Sequence, residues 1–352
     1  MCVGLASRTV RLAGSSVFVT GGAGYIGSHA VKALAATGHD VWVFDNLSAG
    51  HAESVARIQA AYPDRRITLI TGDITDRAAI ADAMRVASPA AVMHFAARLS
   101  VGESMREPAR YYQTNVVGTL GVLEAMAACD VRHFVFSSTA ATFGEPEQTP
   151  IDELHPQRPI NPYGETKLVV ERVLGHLERA TGLTSVIFRY FNAAGADPDG
   201  LIGEDHTPED HLIPRAIGAV LGAEPLQIFG GDYPTPDGTC VRDFVHVSDL
   251  AEAHLAGLRR LLAGGGSGAY NLGMGDGVSV REVVDTVARV AGRPVPHVIG
   301  PRRAGDPSRL VASPAKAHAE LGWTPRFGSL ETIVRSAWQW HTTHPQGYRT
   351  RA

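Results

Sequence analysis

The chain has 352 residues and a formal net charge of −4 at pH 7. That length can bury a sizeable core and suits two domains better than one. The weak negative charge excludes a general attraction to nucleic acid or to anionic membranes, so a negatively charged ligand has to be met by individual arginines and helix ends. No apolar run approaches the length of a membrane-spanning helix, and residues 1–14 lack the unbroken apolar stretch of a secretory signal. A cytoplasmic protein with a loose extension over 1–14 is expected. Cys2, Cys129 and Cys240 are far apart and match neither a zinc spacing nor an even-numbered disulfide framework, so free thiols are expected.

Apolar runs at 16–20, 41–44, 67–70, 91–95, 133–137 and 185–189 alternate with helical patterns. Such alternation predicts an α/β fold, a doubly wound parallel sheet with ligands at the carboxyl ends of its strands. The first run leads into Gly21-Gly22-Ala23-Gly24-Tyr25-Ile26-Gly27, and a helical stretch follows. Here Gly21 permits a tight turn, Gly24 lets backbone N–H groups approach a pyrophosphate, and Gly27 lets the helix pack closely on the sheet. The second run ends in Asp45, about twenty residues on, where a carboxylate binds an adenosine ribose. Because a carboxylate repels a 2′-phosphate and no arginine follows directly, the dinucleotide is read as NAD and not NADP. The ends of the later runs carry Asp73, Phe95-Ala96-Ala97, Ser137-Ser138-Thr139 and Tyr190-Phe191-Asn192, and one crevice could collect them all.

Tyr163 and Lys167 are four apart after Pro162 and share one face of the predicted helix. Taken alone, such a pair is as readily a solvated one. Beside a dinucleotide loop it suggests a base for hydride chemistry at a carbinol, since an adjacent ammonium favours the ionised phenol.

From about Ala193 the chain turns rich in Gly, Pro and Asp, which predicts a smaller, loop-rich lobe. The expected division is a Rossmann domain over 1–192, rejoined by 241–262, with a substrate lobe formed by 193–240 and 263–352. Gly264 to Gly268 is read as a surface connector. The segment Glu204-Asp205-His206-Thr207-Pro208-Glu209-Asp210-His211 invites a metal, yet its spacing matches no helical zinc pair. It is read as a solvated loop, and no metal site is expected.

These motifs resemble the extended short-chain dehydrogenase/reductase superfamily and, within it, the UDP-glucose 4-epimerase family. The likeness runs nearly end to end: Gly21 to Gly27, His94 to Ala97, Val101 to Ser104, Asn161 to Gly164, Arg189 to Asn192, Asp237 to Asp243, Tyr270 to Gly273, Pro301 to Asp306 and His344 to Tyr348. The resemblance implies that Tyr163 is the base, that Lys167 positions the nicotinamide ribose, and that Thr139 hydrogen-bonds the sugar O4 in place of the more frequent serine. It implies a cofactor site of Gly21, Gly24, Tyr25, Ile26, Gly27, Asp45, Asn46, Asp73, Ile74, Phe95, Ala96, Ala97, Asn115, Ser137 and Tyr190, together with Tyr163 and Lys167. Asn192, His211, Leu212, Gln227, Phe229, Arg242, Arg302, Asp306 and Leu310 fall where the family binds its UDP-sugar. The arginines suit a diphosphate independently, through their planar fork.

Three positions depart from the family pattern. Leu99 replaces a cofactor-contacting lysine, His211 a frequent asparagine, and Phe244 a frequent tyrosine. The implied reaction is reversible C4 epimerisation of UDP-galactose and UDP-glucose through a 4-keto sugar, with NAD retained and a homodimer as the assembly. A 4,6-dehydratase is disfavoured, because Ala140-Ala141 follow Thr139 where dehydratases carry an Asp-Glu pair able to transfer protons. Epimerases of UDP-pentoses or UDP-N-acetylhexosamines stay open. A non-catalytic NAD-binding regulator would have no need to keep Thr139, Tyr163 and Lys167 together.

Overall fold

Successive residues of a strand face opposite ways, and Val17, Phe18 and Val19 are all fully buried, so the first strand is covered on both sides. In the computed structural model, which describes residues 15–303 and 307–349, Val17 and Val19 enter one core with Val41, Val43, Leu34 and Leu258. Phe18 joins Phe44, Phe134, Phe136 and Met84 in a second core. Burying one such side chain contributes roughly 1.5–3 kcal/mol. The two cores lie on opposite faces of one sheet. One face carries the helices Tyr25–Ala36 and Val247–Leu262, and the other carries Arg77–Ala87, Thr119–Ala128 and Pro162–Thr181.

The six expected strands are β1 (Ser16–Thr20), β2 (Asp40–Asp45), β3 (Ile67–Thr71), β4 (Ala91–His94), β5 (His133–Thr139) and β6 (Thr184–Tyr190). They are parallel, in the order β6-β5-β4-β1-β2-β3. The order reverses between β1 and β4, where open α/β sheets form their ligand crevice.

Two boundaries differ from the expectation. A seventh strand, Gly268–Leu272, pairs in parallel with β6 at the sheet edge, although 263–352 was assigned to the substrate lobe. Its sequence, Gly-Ala-Tyr-Asn-Leu, has little β-branched character, and the glycine run before it masks its start. Within 241–262 only the helix returns to the main sheet. Phe244–His246 pairs instead with Asn192–Ala194, and Val241–Arg242 lies between Val278–Ser279 and Arg309–Leu310.

The remaining lobe holds the parallel pair Leu226–Phe229 and His297–Gly300. Its helices Leu212–Leu221, Val280–Ala291 and Leu330–Thr343 share a core of Ile213, Ile217, Val283, Val287 and Val334. No helix among the described residues is long and apolar enough to cross a membrane. Cys129 and Cys240 are not joined in a disulfide. The expectations for residues 1–14, Cys2 and Asp306 lie outside the described residues.

Candidate active site

The turn leaving β1 is shaped by close backbone approach. Gly21 has φ +71°, and a Cβ there would stand 2.5 Å from the backbone nitrogen of Ala96. A Cβ on Gly27 would stand 2.1 Å from the Gly21 carbonyl oxygen. Only glycine fits either place. The helix Tyr25–Ala36 therefore starts on the turn itself, with Gly24 as its N-cap and no side chain capping it. An uncapped first turn offers backbone N–H donors to a diphosphate.

Asp45 ends β2 and binds this turn directly. Its Oδ2 accepts from the Ala23 N–H at 3.0 Å and its Oδ1 from the Leu47 N–H at 2.8 Å. Burial raises its pKa, and the two N–H groups work against that rise. At the end of β3, Asp73 accepts from Asn46 Nδ2 at 2.7 Å and from the Thr75 N–H at 2.9 Å. Partial burial opposes the shift, yet the bonds from Thr75 and Asn46 hold this carboxyl below its usual range. Ile74 is buried against Gly118, where a Cβ would come within 2.8 Å of it. Phe95 leaves β4 packed on His254, with ring centres 4.8 Å apart. Asn115 sits in a π-helical turn, Tyr112–Gly118, and its amide is committed to protein partners. It accepts from the Arg98 N–H at 2.8 Å and donates to the Arg98 carbonyl at 3.0 Å and to Thr166 Oγ1 at 3.1 Å. Asn115 thereby ties the segment after β4 to the Tyr163 helix. A glycine turn with no room for side chains, followed by a carboxylate at the end of β2, fits NAD.

The Tyr163 helix, Pro162–Thr181, begins where Asn161 accepts from the Gly164 N–H at 2.8 Å, with Pro162 in its first turn. A Cβ on Gly164 would lie 2.3 Å from the Ala141 carbonyl oxygen, so the helix rests directly on the turn that follows Thr139. That contact brings the Thr139 hydroxyl beside the Tyr163 phenol, whose ionised form it favours. One turn on, Lys167 Nζ donates to the Ser137 carbonyl at 2.8 Å and lies 4.9 Å from the Phe136 ring centre. Ser137 Oγ in turn hydrogen-bonds the Tyr190 hydroxyl.

The electrostatics differ from the reading of the sequence, in which the ammonium lowers the phenol pKa. Desolvation pushes Tyr163 up, and the opposing influence is the bond with Thr139. Lys167 is itself pushed down to about 7 by burial, with Glu171 opposing. An enclosed phenolate is penalised more than its neighbours in the chain relieve it.

Glu171 is a residue that the sequence reading missed. It is buried, pairs with Arg189 at 2.7 Å and accepts from Ser138 Oγ. The signal was present, because Tyr163, Lys167 and Glu171 repeat at a spacing of four along one helix face.

The proposed substrate residues lie in several places. Asn192 Nδ2 donates to the Asp243 carbonyl at 2.9 Å. Arg242 pairs in register with Leu310, which packs with Phe191 against Ala140 and Phe143 of the turn after Thr139. Gln227 and Phe229 lie on one short strand, and the Arg303 guanidinium sits 3.8 Å over the Phe229 ring. Arg302 pairs with Asp232 at 2.7 Å and stacks 4.4 Å over Tyr233. Leu212 opens its helix directly after His211, whose imidazole lies 2.9 Å from both Glu204 and Glu209. The segment 204–211 is the loop expected, with Thr207, Pro208 and Asp210 exposed, but it is not solvated throughout, since Glu204 is only 3% exposed.

Comparison with known proteins gives this geometry a family. Residues 17–273 match the model of the NAD dependent epimerase/dehydratase family. The chain is 50% identical to a UDP-glucose 4-epimerase of Halalkalibacterium halodurans, over 95% of this chain and 98% of that one. Among solved structures it is similar to UDP-glucose 4-epimerase from Brucella ovis in complex with NAD, at a TM-score of 0.88 and 47% identity, over 92% of this chain and 98% of that one. It is also similar to the Bifidobacterium longum enzyme in complex with NAD+ and UDP, at a TM-score of 0.90 and 36% identity, over 95% of this chain and 100% of that one. With its glycine turn, Asp45 and the Thr139–Tyr163 pair inside the matched span, the chain belongs to the NAD dependent epimerase/dehydratase family, and its likeness there is to UDP-glucose 4-epimerases.

Proposed function

We propose that Tyr163, Thr139 and Lys167 carry the chemistry of this enzyme, the NAD-dependent reversible C4 epimerisation of UDP-galactose and UDP-glucose through a 4-keto sugar. The observation that carries the assignment is the seating of the Tyr163 helix on the turn after Thr139, through the Gly164 contact at the carboxyl ends of the strands. Bound NAD⁺ supplies a hydride acceptor that is restored within each cycle. Tyr163 takes the O4 proton and returns it, Thr139 orients that oxygen, and Lys167 holds the floor of the site through the Ser137 carbonyl. A phenol raised by desolvation is a poor base in the free chain, so it needs a further positive charge at the site to ionise. The oxidised nicotinamide carries one.

The same proposal places the cofactor along Gly21 to Gly27, Asp45, Asp73 and the residues after β4. It places the UDP-sugar between those ends and the smaller lobe, at Asn192, Leu212, Phe229, Arg242, Arg302 and Leu310. The strand Gly268–Leu272 belongs with the first of the two divisions. Leu310 is intermediate in volume, and its packing beside the turn after Thr139 supports a place at the sugar pocket wall. UDP-hexoses should therefore be preferred to their N-acetylated forms. A homodimer is proposed, with support from the exposed apolar side chains of Val101, Met105 and Tyr112 on neighbouring helical segments. A cytoplasmic location is proposed, supported by Cys129 and Cys240 remaining reduced.

The test is to purify the protein, add UDP-galactose without NAD, and look for UDP-glucose beside a panel of UDP-pentoses and N-acetylated sugars. Turnover with no added dinucleotide is expected, and denatured protein should release NAD. Dependence on added NADP would overturn the cofactor assignment and the role of Asp45.

A further inference from the structure

Four side chains from one eight-residue segment converge outside the catalytic cluster. Glu204, His206, Glu209 and His211 each place a ligand atom within 4.8 Å of the others. Glu204 Oε1 lies 3.2 Å from His206 Nδ1 and 2.9 Å from His211 Nδ1. Glu209 Oε1 is 2.9 Å from His211 Nδ1, and its Oε2 is 3.6 Å from His206 Nδ1. In a tetrahedral zinc site with bonds of about 2.0–2.2 Å, neighbouring ligand atoms are about 3.3–3.6 Å apart. The observed separations bracket that edge, so small side-chain shifts would complete the geometry.

Hydrogen bonding does not explain the convergence. Glu204 is 3% exposed, and neither its Oε1 nor Nδ1 of His206 has a hydrogen-bond partner, although the two atoms are only 3.2 Å apart. Of the four close contacts, the pair His211 Nδ1 and Glu209 Oε1 has the alignment of a hydrogen bond. A buried carboxylate oxygen and a buried ring nitrogen without hydrogen bonds are costly, and a cation held between them would remove that cost.

We propose that Glu204, His206, Glu209 and His211 form a divalent metal site of the kind that suits zinc. Two imidazole nitrogens and two carboxylate oxygens are a donor set that zinc accepts, and four protein ligands leave no open position. The site is accordingly structural. It joins two parts of the molecule, because His211 is the N-cap of the helix that opens with Leu212, and the Tyr25 ring of the glycine turn stands edge-on to His206 at 6.1 Å. His211 then serves the substrate through its place at the helix start and not through its ring.

The test uses tag-free, full-length protein stripped with a chelator and titrated with zinc chloride against a chromophoric zinc indicator. The native protein should take one equivalent per chain from the indicator, and His206→Gln and Glu209→Gln should take none while keeping native circular dichroism. A cobalt-loaded sample should show the intense visible absorption of four-coordinate Co²⁺. Failure of the native protein to compete for zinc, or undiminished uptake in both variants, would overturn the proposal. Should the variants misfold, the cobalt spectrum of the native protein decides, and the weak bands of six-coordinate cobalt would count against the site.

Discussion

The six strands β1 to β6 run four to seven residues each and pair in parallel through buried Val, Ile and Phe, whereas the strands of the smaller lobe run only two to four residues and lean on buried carboxylates. Asp243 accepts backbone N–H groups from Met274 at 2.7 Å, Ala312 at 3.1 Å and Gly275 at 3.3 Å. Asp249 does the same for Arg326 at 2.8 Å and Phe327 at 2.9 Å. In the sheet, backbone groups satisfy one another, and the side chains are left to pack. In the lobe, side chains satisfy the backbone that strand pairing leaves over, which lets its loops take shapes suited to a ligand. The proposed function puts the chemical step on the sheet side of this contrast and the choice of sugar on the lobe side.

Removing the phenol tests the first half of that assignment most severely. Tyr163→Phe should retain NAD, measured in the supernatant of denatured protein, and lose turnover by about 10²–10⁴-fold or more. Near-normal kcat would end the proposed mechanism. A milder disturbance is Gly164→Ala, whose new Cβ would meet the Ala141 carbonyl oxygen at 2.3 Å and push the helix away from Thr139. Such a displacement should lower kcat about 10²-fold while KM changes little. If KM rose instead with kcat intact, the line between chemistry and selectivity would be wrongly drawn.

In the lobe, Leu310→Ser should improve N-acetylated substrates relative to UDP-galactose, and Leu310→Tyr should suppress them. The ratio of the two kcat/KM values should move by about 1–3 kcal/mol in total. An unmoved ratio in both variants would place Leu310 away from the sugar.

The smallest effect concerns acid. Burial, and for His94 the neighbouring Lys167, lowers the pKa of His94 to about 3, while burial lowers that of His254 to about 4. Each takes up a proton near pH 6.5 when unfolded but not when folded, so each contribution to stability is present above that pH and is lost as pH falls below it. His94→Gln can keep bonds to Thr20 and Thr119, and it should shrink the drop in urea-unfolding stability between pH 7 and 5.5 by about 1 kcal/mol. An unchanged drop would show that His94 is already charged in the fold.

Much of the sheet was legible because its signals are local. The apolar runs gave β1 to β6 within a residue or two, and Gly21, Gly27 and Asp45 lie within one strand, turn and helix. Tyr163 and Lys167 were readable from helical spacing once the dinucleotide loop stood beside them. What could not be read depends on partners distant in the chain. The seventh strand needs β6 beside it to be a strand at all, and the pKa directions of Tyr163 and Lys167 follow from their burial in the folded chain. The convergence of Glu204 with His211 was hidden by the assumption of a helical ligand spacing, which an extended segment need not obey.

The position of Gly268–Leu272 has a consequence for synthesis. The ribosome delivers β6 long before the strand that covers its free edge, and the whole of 193–262 must emerge in between. Until then β6 presents an unpaired row of backbone donors and acceptors, with Val186 and Phe188 on one face, and an open edge of this kind is a template for pairing with another chain. A nascent chain halted before residue 268 would therefore be a more dangerous species than one halted after 272. The time between the emergence of β6 and that of residue 272 is the interval in which a chaperone would do this protein the most good.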